Sequence, residues 1–418
     1  MILEFKVKNF KSIKSEVVFS LVANSDEALC DNITSIDNFK LLKAAAIYGA
    51  NGSGKTNLIS ALAFVQAMVI NSVNHQIGDI INILPHKLSL NSPTSFDIQY
   101  IYNNYRFAYG FILTKEEILE EYLYFFPNGG RQNKVFERKG ENVSLGTSYT
   151  SALKTSKSIL KKNKLFLSCC ANFGDAKYSQ TQIVVDAYLF FKQALVIHDP
   201  HAPSPWLNYS VLTLQNNIKI KSLFTKLMRG LGSDLIDVTA KFEKKKFSIE
   251  NFPKNAPAEL VNFIVSLGET DIPNVTINYK NFQLSLNEES NGIKKLFDIL
   301  CPIIDIIQQG KVLIYDELET SLHESIAKEL IEIFLHNKHN SQLIFTTHDT
   351  NLLDLSLLRR DQIWFTELKK EDRSTQLYSL SDIKNVRKDE NIAKGYISGK
   401  YGAIPMLNKN ILSEVAGD

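Results

Sequence analysis

The sequence predicts an α/β protein: a parallel sheet with antiparallel strands at the N-terminal end, interrupted by an inserted, mainly helical lobe. Three observations carry that expectation. The apolar stretch ending at Tyr48 runs through a glycine-rich turn into Asn57 to Val65, where apolar residues recur at helical spacing. In the second half, apolar strands alternate with helices: helix 289–308, strand 311–315, helix 321–335, strand 342–346. Strands that are apolar throughout and separated by helices are the pattern of a parallel sheet covered on both faces. Between these regions, from about Thr147, the pattern turns helical.

The elements follow in order. Ile2 to Val7 and Glu16 to Leu21 alternate as strands around the turn Asn9-Phe10-Lys11-Ser12-Ile13, and residues 21–40 read as polar and irregular. The helix after the glycine-rich turn extends to about Asn74. A hairpin is expected from Phe96 to Leu113 around Asn103-Asn104, and a strand pair at Glu121 to Phe126 and Lys134 to Lys139 across Pro127-Asn128-Gly129-Gly130. Tyr178 to Ala194 and Asn208 to Gly230 read as helices. Val238 to Ile249 and Val275 to Leu286 read as strands returning to a sheet. In the tail, strands are expected at Asp361 to Glu367 and Gln376 to Leu380, with a helix at Asn391 to Ser398. The resulting division is 1–114 and 271–418 as two halves of one head, with 115–270 as the inserted lobe.

At 418 residues the chain is long for one compact core, in keeping with two subdomains. Lys and Arg total 47 against 45 for Asp and Glu, a net charge of +2, so any nucleic-acid-binding surface must be local. Two lysine runs are candidates, although a solvated face is the commoner meaning of such runs: Lys154, Lys157, Lys161, Lys162 and Lys164, then Lys241, Lys244, Lys245 and Lys246. Apolar runs such as Ala61 to Ile70 are short for a bilayer, and the N-terminus lacks a signal-peptide pattern. Cys30, Cys169, Cys170 and Cys301 show no C-x-x-C spacing and read as reduced thiols of a cytoplasmic protein.

Gly49-Ala50-Asn51-Gly52-Ser53-Gly54-Lys55-Thr56 fits G-x-x-x-x-G-K-[ST] in its required strand–loop–helix setting. Gly49, Gly52 and Gly54 let the backbone N–H groups of the loop, those of Asn51 and Ser53 among them, turn towards phosphates. Lys55 supplies a full charge and the Thr56 hydroxyl a ligand for Mg²⁺. ATP with Mg²⁺ is therefore the expected ligand. The apolar strand ending in Asp316-Glu317 is a Walker B arrangement, with Asp316 as a magnesium ligand and Glu317 activating water. Glu319 is a third acid, readable as a metal ligand or as a helix N-terminal charge. His348, at the end of strand 342–346, is placed to sense a terminal phosphate. Ser290 and Gly292, opening the helix before the Walker B strand, form a second anion site. His198-Asp199-Pro200-His201 reads as a Pro-rich loop rather than a metal site.

This order of motifs, with the opening Phe5-Lys6-Val7-Lys8-Asn9-Phe10-Lys11-Ser12, resembles the ABC-type ATPase heads of the RecF and OLD group. It looks most like the AAA family ATP-binding proteins of bacterial abortive-infection systems, the AbiL and PARIS-like class. The tail from Lys394 to Pro405 also resembles theirs. The resemblance implies an ABC-type head, two of which sandwich ATP in a homodimer or higher oligomer, with Ser290 and Gly292 meeting the nucleotide of the other subunit. It places Lys11 near the nucleotide and makes His348 the switch histidine. It also implies a separate effector protein of TOPRIM type or RloB-like, a phage protein or nucleic acid as trigger, and no membrane. About 70 residues follow His348, short for a TOPRIM domain, so no intrinsic nuclease is expected. The alternative is a RecF-like repair ATPase that loads on DNA.

Overall fold

The computed structural model describes residues 1–127, 130–198, 206–249, 257–266, 268–387 and 390–404. Packing divides the chain into two units. The first is Met1–His198, Gln309–Glu319 and Leu330–Asp418; the second is Asp199–Gln308 with Thr320–Glu329.

The first unit begins with β1 (Ile2–Lys8), β2 (Val17–Ser20), the hairpin β3 (Ile33–Ile36) and β4 (Phe39–Leu42), β5 (Ala44–Gly49) and α1 (Lys55–Asn71). It continues with β6 (Thr94–Tyr102), β7 (Tyr105–Leu113), β8 (Ile118–Phe126), β9 (Asn133–Lys139) and β10 (Asn142–Leu145). Then come α2 (Lys154–Ser158), α3 (Phe166–Phe173), α4 (Ser179–Leu189) and β11 (Leu195–His198). The second unit holds α5 (Trp206–Asn216), α6 (Ile218–Gly230), β12 (Asp237–Lys246), α7 (Ala258–Ser266), β13 (Glu269–Asn278), β14 (Gln283–Ser285) and α8 (Asn291–Gln308). The chain ends with β15 (Val312–Tyr315), α9 (Glu324–Leu335), β16 (Gln342–Thr346), β17 (Ile363–Leu368), β18 (Thr375–Ser379) and α10 (Ile392–Ile397).

Two sheets make the first unit a mixed α/β body. One is antiparallel, in the order β10-β9-β8-β7-β6-β1-β2. The other runs β11-β15-β16-β5-β17-β18 and is parallel except for β18. The β6–β7 hairpin turns at Asn103 and Asn104, with φ of 49° and 62°. Asparagine tolerates that left-handed backbone, and a two-residue turn of this kind matches the twist of the strands. Between the sheets runs α1, whose Leu58, Ile59, Leu62, Val65 and Val69 are buried. Each such side chain contributes about 1.5–3 kcal/mol. With its short 3₁₀ extension to Asn74, α1 is the one described helix long and apolar enough to cross a membrane. Here those apolar residues belong to the core cluster that also includes Phe5, Ile47 and Phe96.

The structure draws the lobe boundary differently from the expected 115–270. Strands β8 to β10 extend the antiparallel sheet, and β11 pairs in parallel with β15. A buried carboxylate fastens the following helices to that sheet. Glu121 accepts the N–H groups of Phe166 (2.6 Å) and Leu167 (2.9 Å) at the start of α3, the Tyr109 hydroxyl (3.0 Å) and Arg138 (3.3 Å). Residues up to His198 thus belong with the head. The strands expected at Val238 to Ile249 and Val275 to Leu286 make their own three-stranded sheet, β12-β13-β14, in the second unit. Among the described residues, that unit combines this sheet with α5, α6, α7, α8 and the first half of α9. Residues 21–40, expected to be irregular, contain β3 and the start of β4, whose hairpin turn at Asp37 has φ 52°. The Asn128-Gly129 turn and Asp199-Pro200-His201 lie outside the described residues.

Candidate functional site

The centre of the parallel sheet is β5, all six residues of which are buried. It is paired to β16 on one side and β17 on the other. At its end the chain turns at Gly52 (φ 76°) and Gly54 (φ 111°) before α1 starts at Lys55. A Cβ on Gly54 would meet the Thr375 side chain and strain the backbone, so only glycine fits there. Ser53, Gly54 and Lys55 are buried, while Asn51, Gly52 and Thr56 are exposed at the mouth of the loop.

Hydroxyl groups from distant strands hold this loop. Ser53 Oγ and Thr366 Oγ1 are 2.6 Å apart, and Thr375 Oγ1 donates to the Ser53 carbonyl at 2.9 Å. Ser12 Oγ lies 2.7 Å from Thr375 Oγ1 and accepts the Asn57 amide at 2.6 Å. Sequence reasoning gave Thr366 and Thr375 no role in the site and noted Ser12 only within a turn and the opening segment. Isolated hydroxyl residues carry no spacing signal; the register of β17 and β18 places them. Lys11 lines a neighbouring cavity of about 650 Å³ with Ser12, Lys87, Lys115 and Arg373.

The acidic pair sits at the end of β15. Asp316 is buried and its carboxylate accepts the Thr346 hydroxyl at 2.5 Å. The same hydroxyl accepts the Glu317 N–H at 2.8 Å. Glu317 adopts φ 53°, a left-handed backbone that is costly for a residue with a Cβ and that concentrates at functional sites. Thr346 thus orients both acids, a role invisible in the sequence. His348, just beyond β16, is exposed, and its backbone N–H donates to Glu319 Oε1 at 2.6 Å. Burial by neighbouring atoms, then the Lys55 charge, lowers the His348 pKa against the opposing pull of Glu319, Glu317 and Asp316. Lys55, Asp316, Glu317 and His348 therefore gather at the ends of neighbouring strands of one sheet.

In the second unit, α8 begins at Asn291 after Ser290, whose hydroxyl accepts the Ile293 N–H at 3.3 Å as a helix cap. Gly292 lies in the first turn, where an added Cβ would approach the Ser321 carbonyl at 3.6 Å. Among the lysine runs, Lys241 pairs with Glu243 (2.7 Å), while Lys154, Lys157, Lys161 and Lys162 are exposed. Among the described residues no group of three or more His, Cys, Asp or Glu side chains could hold a metal ion.

The donor set fits a magnesium nucleotide. Two glycines open the loop backbone, and the buried Lys55 ammonium donates to two carbonyls of its own loop, Gly49 O at 2.8 Å and Ala50 O at 3.3 Å. The Thr56 hydroxyl and the Asp316 carboxylate, both oxygen donors, suit a hard divalent cation. Residues 44–167 and 201–354 match the family described as "AAA domain, putative AbiEii toxin, Type IV TA system". The chain belongs to this AAA family. None of the curated proteins matches. Among solved structures, the SmcHead bound to the C-winged helix domain of ScpA is 14% identical, with a TM-score of 0.46, over 90% of this chain and 97% of that one. The SMC head domain from Thermotoga maritima is 11% identical, with a TM-score of 0.41, over 90% and 98%.

One property of this AAA site has a testable pH signature. Burial lowers the Lys55 pKa from its ordinary 10.5 to about 8, against the opposing charges of Asp316, Glu317 and Glu319. Bound phosphate would favour the charged form. Binding of Mg·ATP is thus expected to take up a proton above pH 8, and affinity to fall by up to about tenfold per pH unit there. Titration calorimetry at pH 9 in two buffers of different ionisation enthalpy measures that uptake; equal heats would refute it. For folding the sign is reversed. Between about pH 8 and 10.5 the unfolded lysine binds more protons than the folded one, so this group adds stability as pH rises through that window.

Proposed function

We propose that this AAA protein is a Mg·ATP-dependent ABC-type ATPase that acts in the cytoplasm as the sensor and regulator of a bacterial anti-phage pair, controlling a separate effector such as a TOPRIM-type nuclease. The observation that carries the catalytic part is the convergence of Lys55, Asp316, Glu317 and His348 at neighbouring strand ends. The backbone of Gly49, Asn51, Gly52, Ser53 and Gly54 with Lys55 would hold the phosphates. Thr56 and Asp316 would hold magnesium, which neutralises phosphate charge when bound. Glu317 would accept a proton from water, and His348 would meet the terminal phosphate.

Ser290 and Gly292, at the N-terminus of the 18-residue α8, support the view that each copy completes the site of another. Binding would then close two heads and hydrolysis release them. The type IV toxin–antitoxin description of the family supports a partner protein as the object of that cycle. Light scattering of the full chain is expected to show a larger mass with Mg·ATP than without, and no change for Ser290→Arg. An identical mass under all conditions, with the product of the adjacent gene included, would overturn the closing mechanism. The exposed lysines of the 154–162 stretch favour the second reading, a RecF-like ATPase on DNA. Salt-sensitive stimulation of ATPase activity by DNA would select it.

A further inference from the structure

Glu319 has a place in the site that neither a magnesium ligand nor a helix-capping charge describes. Its Oε1 accepts the backbone N–H of His348 at 2.6 Å, joining the exits of β15 and β16 across 29 residues of sequence. The following helix, α9, starts only at Glu324. The other oxygen, Oε2, is buried and has no hydrogen-bond partner among the described residues, and the same holds for the hydroxyl of Tyr48, the residue before Gly49. The Glu319 charge acts on Tyr48, Lys55 and His348 alike. One carboxylate thus stands among the phosphate-loop lysine, the strand that carries the loop and the switch histidine.

Ordinary satisfaction of a backbone donor does not account for the Glu319 to His348 bond. His348 is exposed, so water could serve its N–H equally well. What the bond adds is position. The Leu318 N–H to Thr346 O bond (3.1 Å) and the Glu317 N–H to Thr346 Oγ1 bond (2.8 Å) fix the two chain segments up to residue 346. Beyond that point, Glu319 carries the linkage two residues further.

We propose that Glu319 is a positioning residue that fastens His348 to the end of the Walker B strand, so that the imidazole is held ready for a terminal phosphate before nucleotide arrives. This rests on the reading of the site as one for Mg·ATP. An acceptor oxygen at residue 319 is what the fastening requires. Without it the His348 segment samples other positions, and the site loses its preference for triphosphate over diphosphate rather than its affinity for nucleotide in general.

The full-length protein, Glu319→Gln and Glu319→Leu are compared in two measurements: hydrogen exchange of the peptide spanning Thr347–Asp349 without nucleotide, and the affinities for fluorescent ATP and ADP with magnesium. Glu319→Gln keeps an acceptor and is expected to retain both slow exchange and the ATP preference. Glu319→Leu is expected to exchange about tenfold faster and to lose about tenfold in the ATP-to-ADP affinity ratio. Unchanged exchange and ratio in Glu319→Leu, or equal loss in both variants, would overturn the proposal. If Glu319→Leu does not fold, Glu319→Asp, whose acceptor is withdrawn by one methylene, takes its place with the same expected losses. If the parent protein binds neither nucleotide, the reading of the site fails, while the exchange measurement still judges the fastening.

Discussion

Lys55→Ala is expected to weaken Mg·ATP binding by about a hundredfold or more. A hydrogen bond from a charged group contributes about 1.5–3 kcal/mol, and this ammonium would exchange its bonds to the Gly49 and Ala50 carbonyls for phosphate oxygens. No other lysine lies in the phosphate loop to substitute for it. The fold should survive the change. The cost of burying this cation, visible in its lowered pKa, disappears together with its two bonds. Calorimetric titration against Mg·ATP, with a melting curve as control, measures the effect. An affinity within threefold of the parent would mean that the loop does not cradle phosphate.

Glu317→Gln is expected to lower the rate of ATP hydrolysis by about 10²–10⁴-fold while leaving ATP binding within a few-fold. The carboxamide has the shape of the carboxylate and lacks its basicity. The backbone that aims the side chain is set by φ 53° and by the N–H bond to Thr346 Oγ1 (2.8 Å), neither of which the substitution touches. Retained binding with lost turnover should trap the ATP-bound assembly, seen as a persistent mass increase in light scattering. Single-turnover hydrolysis at the parent rate would remove Glu317 from the role of base.

Much of this molecule was legible in its sequence because the relevant signals are local. The Asn103-Asn104 turn, the helix after Gly54, the strands ending at Tyr315 and Thr346 and the tail strands each announce themselves through periodicity or a residue with special backbone tolerance. Where local signals are weak, the reading and the structure differ. Leu195–His198 is four residues long and becomes a strand because Val312–Tyr315 lies beside it. The β8 to β10 ladder could not be assigned to the head from its own alternation, which is the same whichever neighbour it pairs with.

The sequence by itself determined the chemistry available: a glycine loop with one lysine, a strand ending in two acids and a histidine after the next strand. Those follow from residue type and spacing along the chain. Tertiary structure alone decided how the groups are aimed. Thr346, Thr366, Thr375 and Ser12 take their roles from register, since a hydroxyl acts only on what lies within about 3 Å, and the residues that meet there are up to 363 positions apart.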